Sequence, residues 1–237
     1  MATNNAINTS NPITVAQGGT GNSSTTAYAI QCGGTTSTGA FQTVASAGNA
    51  GQVLRSGGAS AVPAWGGGGL VLLSSQAASS SASISFTGLT AYSNYLLVFY
   101  GVTPATDAAL LNMQMSNDGG STWITTSYTA GCNHNPYNSA TVTNNNSTTA
   151  WVLTGPLDSG SSSNLANGAV YILNTNVGNN CYISGTCSYY DNTSAVDAMG
   201  VVGGRGGATG ANAFKVLMSS GNIAAGTFRL YGVSGVT

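Results

Sequence analysis

Tyr95-Leu96-Leu97-Val98-Phe99-Tyr100 is the stretch that decides the fold. Its residues are apolar on both faces of an extended chain, which places it in the middle of a sheet. Neighbouring stretches have the half-buried form of strands. Ser83-Ile84-Ser85-Phe86-Thr87 alternates and stops at Gly88. Leu111, Met113 and Met115 face one way, with Asn112, Gln114 and Ser116 opposite. Further strands are expected at 151–153, 169–173, 182–190, 199–202, 214–218 and 227–231, with a turn at 219–222 before the last. No segment carries a helical period with caps. Many short strands joined by Gly, Ser and Asn turns predict an all-β, antiparallel sandwich of jelly-roll type.

Upstream, the texture changes at Gly66-Gly67-Gly68-Gly69. Residues 1–65 are small and polar. Apolar residues there are scattered (Ile13, Val15, Tyr28, Ile30, Phe41, Val44, Val53, Leu54, Trp65) between glycine turns. The reading is an extended attachment and oligomerisation segment over 1–65, a glycine linker at 66–69 and a head over 70–237. Short extended pieces of this kind gain order when several chains wrap together.

Only 4% of the 237 residues are charged, against roughly 25% in an ordinary globular domain. The acids are Asp107, Asp118, Asp158, Asp191 and Asp197; the bases are Arg55, Arg205, Arg229 and Lys215. A formal charge of −1 supplies no field to gather phosphates, which argues against nucleic-acid binding. No window approaches the ~18 apolar residues of a membrane span, so no membrane insertion is expected. The start, Met1-Ala2-Thr3-Asn4, has no basic n-region and no apolar h-region, and the expectation is synthesis without a signal peptide. Cys181 and Cys187 lie six residues apart, about 20 Å on a straight strand and too far for a disulfide. A bend at Gly185 is what would bring them together. With Cys32 and Cys132 they are expected to be free thiols.

The run Pro12-Ile13-Thr14-Val15-Ala16-Gln17-Gly18-Gly19-Thr20-Gly21-Asn22, continued by 27–42 and by Gly51-Gln52-Val53-Leu54, resembles the repeat of bacteriophage tail-fibre and related virion-fibre proteins. The likeness covers about the first quarter of the chain. The closing stretch 218–232 resembles, more loosely, the end of phage virion proteins with β-sandwich heads. The resemblance implies a trimeric stalk or particle-attachment segment and a virion location. The glycines at 18–21 lack the Gly-Lys-Ser/Thr ending of a phosphate loop and read as a turn.

Ser116-Asn117-Asp118-Gly119-Gly120-Ser121-Thr122-Trp123 fits S-x-D-x-G-x-T-W and resembles the Asp-box of sialidases and other β-propellers, where it braces a hairpin loop. Ser116, Asp118, Gly120, Thr122 and Trp123 are therefore expected to hold a turn, with Asp118 accepting backbone N–H groups. The single His134, with Asn133, Asn135 and Tyr137, is a candidate glycan-contact group on a loop, since amides match sugar hydroxyls and a ring packs on a pyranose. Tyr190 with Asn192, and Arg205 on a glycine loop, are two further candidates. Cys132 and His134 alone are too few for a zinc site, and neither metal nor cofactor is called for.

These readings converge on a non-enzymatic virion fibre subunit, homotrimeric, joined to other virion proteins through 1–65, whose head contacts a host-surface receptor or glycan. Two others stand beside it. One is a capsid-decorating or filament-forming protein with no receptor. The other is a surface polysaccharide hydrolase, although the acids show no close pair in sequence.

Overall fold

A computed structural model describes residues 19–22, 24–49, 52–136, 143–145, 147–160, 163–175, 180–193, 195–206 and 210–233. Every regular element among them is a β-strand. The chain divides into two units, Met1–Gly68 and Gly69–Thr237.

In the first unit, β1 (Gln31–Cys32) pairs with β2 (Gln42–Thr43), and β3 (Gln52–Arg55) with β4 (Ala64–Gly67). Trp65 holds it together. Its ring lies where a side chain at Gly48 would project, and its Nε1 donates to the Ser46 carbonyl at 3.0 Å. Gly48 is also in the left-handed region, at φ 78°. Val44 is buried and donates its N–H to the Ile30 carbonyl. The glycines read as a linker belong in part to this unit. Gly66 and Gly67 are strand residues opposite Val53 and Gln52. Gly66 packs closely there: a Cβ on it would meet the Arg55 side chain at 2.7 Å. Gly69 alone turns into the left-handed region, at φ 83°.

The second unit contains β5 (Leu70–Ser81), β6 (Ile84–Phe86), β7 (Tyr95–Pro104), β8 (Leu111–Ser116), β9 (Tyr128–Pro136) and β10 (Thr143–Asn145). There follow β11 (Trp151–Val152), β12 (Ala166–Leu173), β13 (Asn180–Tyr190), β14 (Val196–Gly206), β15 (Ala213–Met218) and β16 (Ile223–Val233). All pairings are antiparallel. β5 pairs with β16, β6 with β15, β7 with β12 and β8 with β11. Nested pairs of this kind are those of one long hairpin; rolling it sets β7 beside β16 and β8 beside β15. Two facing orders result, β5-β16-β7-β12 and β6-β15-β8-β11, which is the jelly roll. The larger sheet then continues past β12 through β13, β14, β9 and β10, hairpins inserted between roll strands.

One core lies between the sheets. Tyr95, Leu97, Phe99, Val170, Ile172, Phe228 and Leu230 come from the larger sheet, and Ile84, Phe86, Leu111, Met113, Met115, Phe214 and Val216 from the smaller. Tyr95 meets Phe214 edge-on across the interior, ring centroids 6.0 Å apart. The inserted strands have their own cover. Trp151 is fully buried, edge-on to Tyr128 at 5.1 Å, with Nε1 donating to the Gly204 carbonyl. The Tyr128 hydroxyl accepts from Met115 N–H at 2.9 Å and donates to the Ile124 carbonyl at 3.0 Å. Burial pushes that phenol up to about 12.

β13 pairs with β14 without interruption from Asn180 to Tyr190, so Gly185 makes no bend. Cys181 and Cys187 are buried and stand outside any disulfide, and so does Cys32. Gly185 serves another purpose. A Cβ there would lie 2.2 Å from the Ala169 carbonyl oxygen and 2.7 Å from Val170 Cα, both backbone atoms that cannot swing aside. Gly200 has open space instead. Gly185→Ala is therefore expected to lower unfolding free energy by about 1–3 kcal/mol in urea titration, while Gly200→Ala stays within about 0.5 kcal/mol of wild type.

Candidate functional site

The loop after β8 is built around one carboxylate. Asp118 receives the Ser116 hydroxyl at 2.6 Å, the Thr122 hydroxyl at 2.6 Å and the Thr122 N–H at 2.9 Å. Ser116 Oγ in turn accepts Gly120 N–H at 2.9 Å. Gly119 and Gly120 supply the left-handed backbone the turn requires, at φ 78° and 92°. Asn212 pins the loop from below, its Oδ1 accepting Gly119 N–H. Lys215 Nζ sits over the Trp123 ring, 4.9 Å from its centroid. Both carboxylate oxygens of Asp118 accept from donors of their own loop, so the arrangement is a brace.

The candidate contact residues fall on different parts of the larger sheet. Asn133, His134 and Asn135 were expected on a loop. They lie instead within β9, opposite Gly200, Met199 and Ala198 of β14, and Asn133 and His134 also face Asn144 and Thr143 of β10. Strand pairing on both sides overrides the turn signal of Asn and Pro in that run. Tyr137 lies outside the described residues. Arg205 was expected on a glycine loop but is a β14 strand residue, opposite Tyr128 on one side and Cys181 on the other. The flanking glycines serve packing: a Cβ at Gly203 would lie 2.9 Å from the Trp151 ring. Arg205 Nε donates to the Thr126 carbonyl at 3.3 Å, and its guanidinium lies 6.0 Å from the Tyr128 centroid.

Tyr190 and Asn192 lie at the end of the sheet where β9 also ends. Tyr190 ends β13 opposite Val196, and Asp197 beside it pairs with Pro136 of β9. Asn192 is exposed in the β13–β14 turn. That turn is held by Asp191, which accepts Thr193 N–H, the Thr193 hydroxyl and Ala195 N–H, all at 2.8–2.9 Å. This end of the sheet thus carries Asn192 and Tyr190, with the backbone of Asn135 two strands over. Arg205 is eight residues further along β14, about 26 Å away.

Sequence spacing did not foretell the gathering of acids at this same end. Leu157 bridges both Ala109 and Asp191. Asp107 accepts Ser159 N–H, while Asp158 accepts Gly160 N–H and the Asn164 amide. These carboxylates arrive on separate loops, so no window of sequence holds them together. Among the described residues no cluster of three or more His, Cys, Asp or Glu could hold a metal ion. Burial first, and then the neighbouring Asp197 charge, raise the Tyr189 phenol. Burial likewise pushes the Cys181 thiol up to about 12, which keeps it from serving as a thiolate nucleophile near neutral pH.

A groove of about 430 Å³ opens between β5, β6 and the start of β7, with Leu73, Gln76, Phe86, Tyr92 and Tyr95 among its walls. It too went unforeseen, because its walls come from three strands and a connecting loop. Its lining is neutral and mixes amide, hydroxyl and ring surfaces, suited to an uncharged polar ligand. No protein-family model, curated protein or solved structure matches the chain.

The hydrogen bonds of Ser116 and then Thr122 hold the Asp118 carboxyl down to about 2, below its ordinary 3.8. A lowered folded value stabilises the protein at pH above the ordinary value, and that contribution disappears as pH falls through about 2. Thermal melts of wild type and Asp118→Asn should differ above pH 4 and converge between about pH 4 and 2.

Proposed function

We propose that this chain is a non-enzymatic structural subunit of a bacteriophage virion fibre. Its N-terminal residues join it to other virion proteins, and its head contacts a host-surface receptor or glycan. The observation that supports the reading most is the jelly-roll order of the head, an architecture shared by viral capsid and lectin domains. It follows a segment that resembles virion-fibre repeats. The sheet end carrying Tyr190 and Asn192 supplies an amide and a ring beside the carboxylates of its loops, the chemistry that glycan contact requires. Several subunits in one fibre would multiply weak contacts through high effective concentration.

Antibody against the purified chain is expected to decorate appendages of the phage particle in electron micrographs. Label spread over the capsid shell would favour decoration, and no label at all would overturn the virion reading. Labelled full-length chain should bind host cells. Tyr190→Ala and Asn192→Ala should each weaken that binding about tenfold, worth ~1.4 kcal/mol per site. Release of oligosaccharides from host polysaccharide would overturn the non-enzymatic part.

A further inference from the structure

The head has two outward sheet faces of opposite character. On the smaller sheet, Ser85, Lys215 and Gln114 stand opposite one another in one row. On the larger sheet the corresponding row is Leu72, Tyr231, Leu96, Tyr171, Ser184 and Val202, paired in register across β5, β16, β7, β12, β13 and β14. Residues paired across antiparallel strands share a face, and their chain neighbours Leu97, Ile172, Ile183 and Val201 are buried in the core. Among the described residues, eight large apolar side chains of the head are exposed: Leu70, Leu72, Leu73, Tyr100, Tyr171, Tyr182, Val196 and Val202. All but Leu73 lie on this one face, with Tyr171 44% and Val202 54% exposed.

We propose that the outer face of the larger sheet is an interface with further copies of this chain. Its chemistry selects that partner. Among the described residues the face holds a single charge, Arg229, and its guanidinium is already placed over the Tyr100 ring, 5.3 Å from the centroid. An acidic or basic partner finds nothing to complement, whereas two copies meet without like-charge repulsion. Other polar groups of the face, among them the tyrosine hydroxyls with Ser75, Ser184, Thr186, Ser188 and Thr227, both donate and accept, so the face is its own complement. Its size fits as well. Six strands at ~4.8 Å spacing and eight residues at ~3.3 Å rise cover roughly 600 Å² in projection, and more in accessible surface, approaching the ~800 Å² per partner of a stable interface. An antiparallel sheet with one face in a core needs only one apolar face; a second marks a surface that is covered.

This deepens the proposed assembly and rests on it for the partner's identity, yet the two fail separately, since particle labelling does not depend on this face. Sedimentation velocity of the full chain at about 10 μM should show a multimer. Tyr171→Glu and Val202→Glu should each shift the midpoint of assembly at least about tenfold toward monomer, and Ser85→Glu on the opposite face should not. A second measurement stands if the Glu variants fail to fold. Val202→Cys should react with a bulky thiol reagent at least about tenfold more slowly than Ser85→Cys in the assembled chain, an interface excluding water and reagent alike. A monomeric wild type overturns the proposal. So do Glu variants that fold and keep the wild-type mass, or equal thiol labelling at the two positions.

Discussion

The structure depends on β7, a strand hydrogen-bonded on both sides and apolar on both faces. Tyr95, Leu97 and Phe99 fill the interior, and between them Leu96 and Val98 point outward beside Tyr231, Tyr171 and Arg229. The strand has β16 on one side and β12 on the other, so it joins the chain's last strand to the middle of the sheet. This is the closing step of the roll, and it is long-range by nature. Pairings so distant in sequence form only after large loops have closed, which makes such topologies slow to fold. Because Leu96 is only 7% exposed while facing out, the outer layer of Tyr171 and Tyr231 belongs to the same packing problem as the core.

A chain with so few charges must organise its loops by other means. Asp118, Asp158 and Asp191 each close a loop by accepting nearby N–H and hydroxyl groups. Together with Asp107 on Ser159 N–H, four of the five acids act on backbone amides and leave little for ion pairing. Hydrogen bonds of a carboxylate to backbone donors are stronger than neutral ones and survive salt better than exposed ion pairs. The surface that results is neutral and rich in hydroxyls, and association between copies meets no electrostatic opposition.

Much of the fold was legible where burial imposes a period. The alternation at 83–87 and 111–116 maps onto β6 and β8, and the run at 214–218 onto β15, because in each case one face meets the core. β9 and the second half of β5 were not legible. Ser79, Ser80 and Ser81 carry no apolar signal, yet β16 pairs with the strand as far as Ser81. In β9, polar residues are held between β14 and β10 by backbone bonds that no side-chain pattern announces. The candidate site divides in the same way. The Asp118 loop is local, its residues bonding or stacking within or beside the turn, and its pattern could be read directly. Arg205 and His134 were misplaced because glycine and asparagine mark turns in isolation and strands when neighbours supply the ladder.

By itself the sequence determined the class of structure: hydrophobic alternation at period two, without a helical period, commits a chain to sheets. It also determined the neutral surface chemistry, since composition alone sets the charge. Tertiary structure alone decided the strand order, the gathering of Asp107, Asp158 and Asp191 at one end, and the segregation of exposed tyrosines and valines onto one face. The physical reason is that register and nesting join residues through backbone hydrogen bonds, which are the same for every residue type. Which neighbours a side chain acquires is settled only when the long hairpin rolls and the sheets close on their common core.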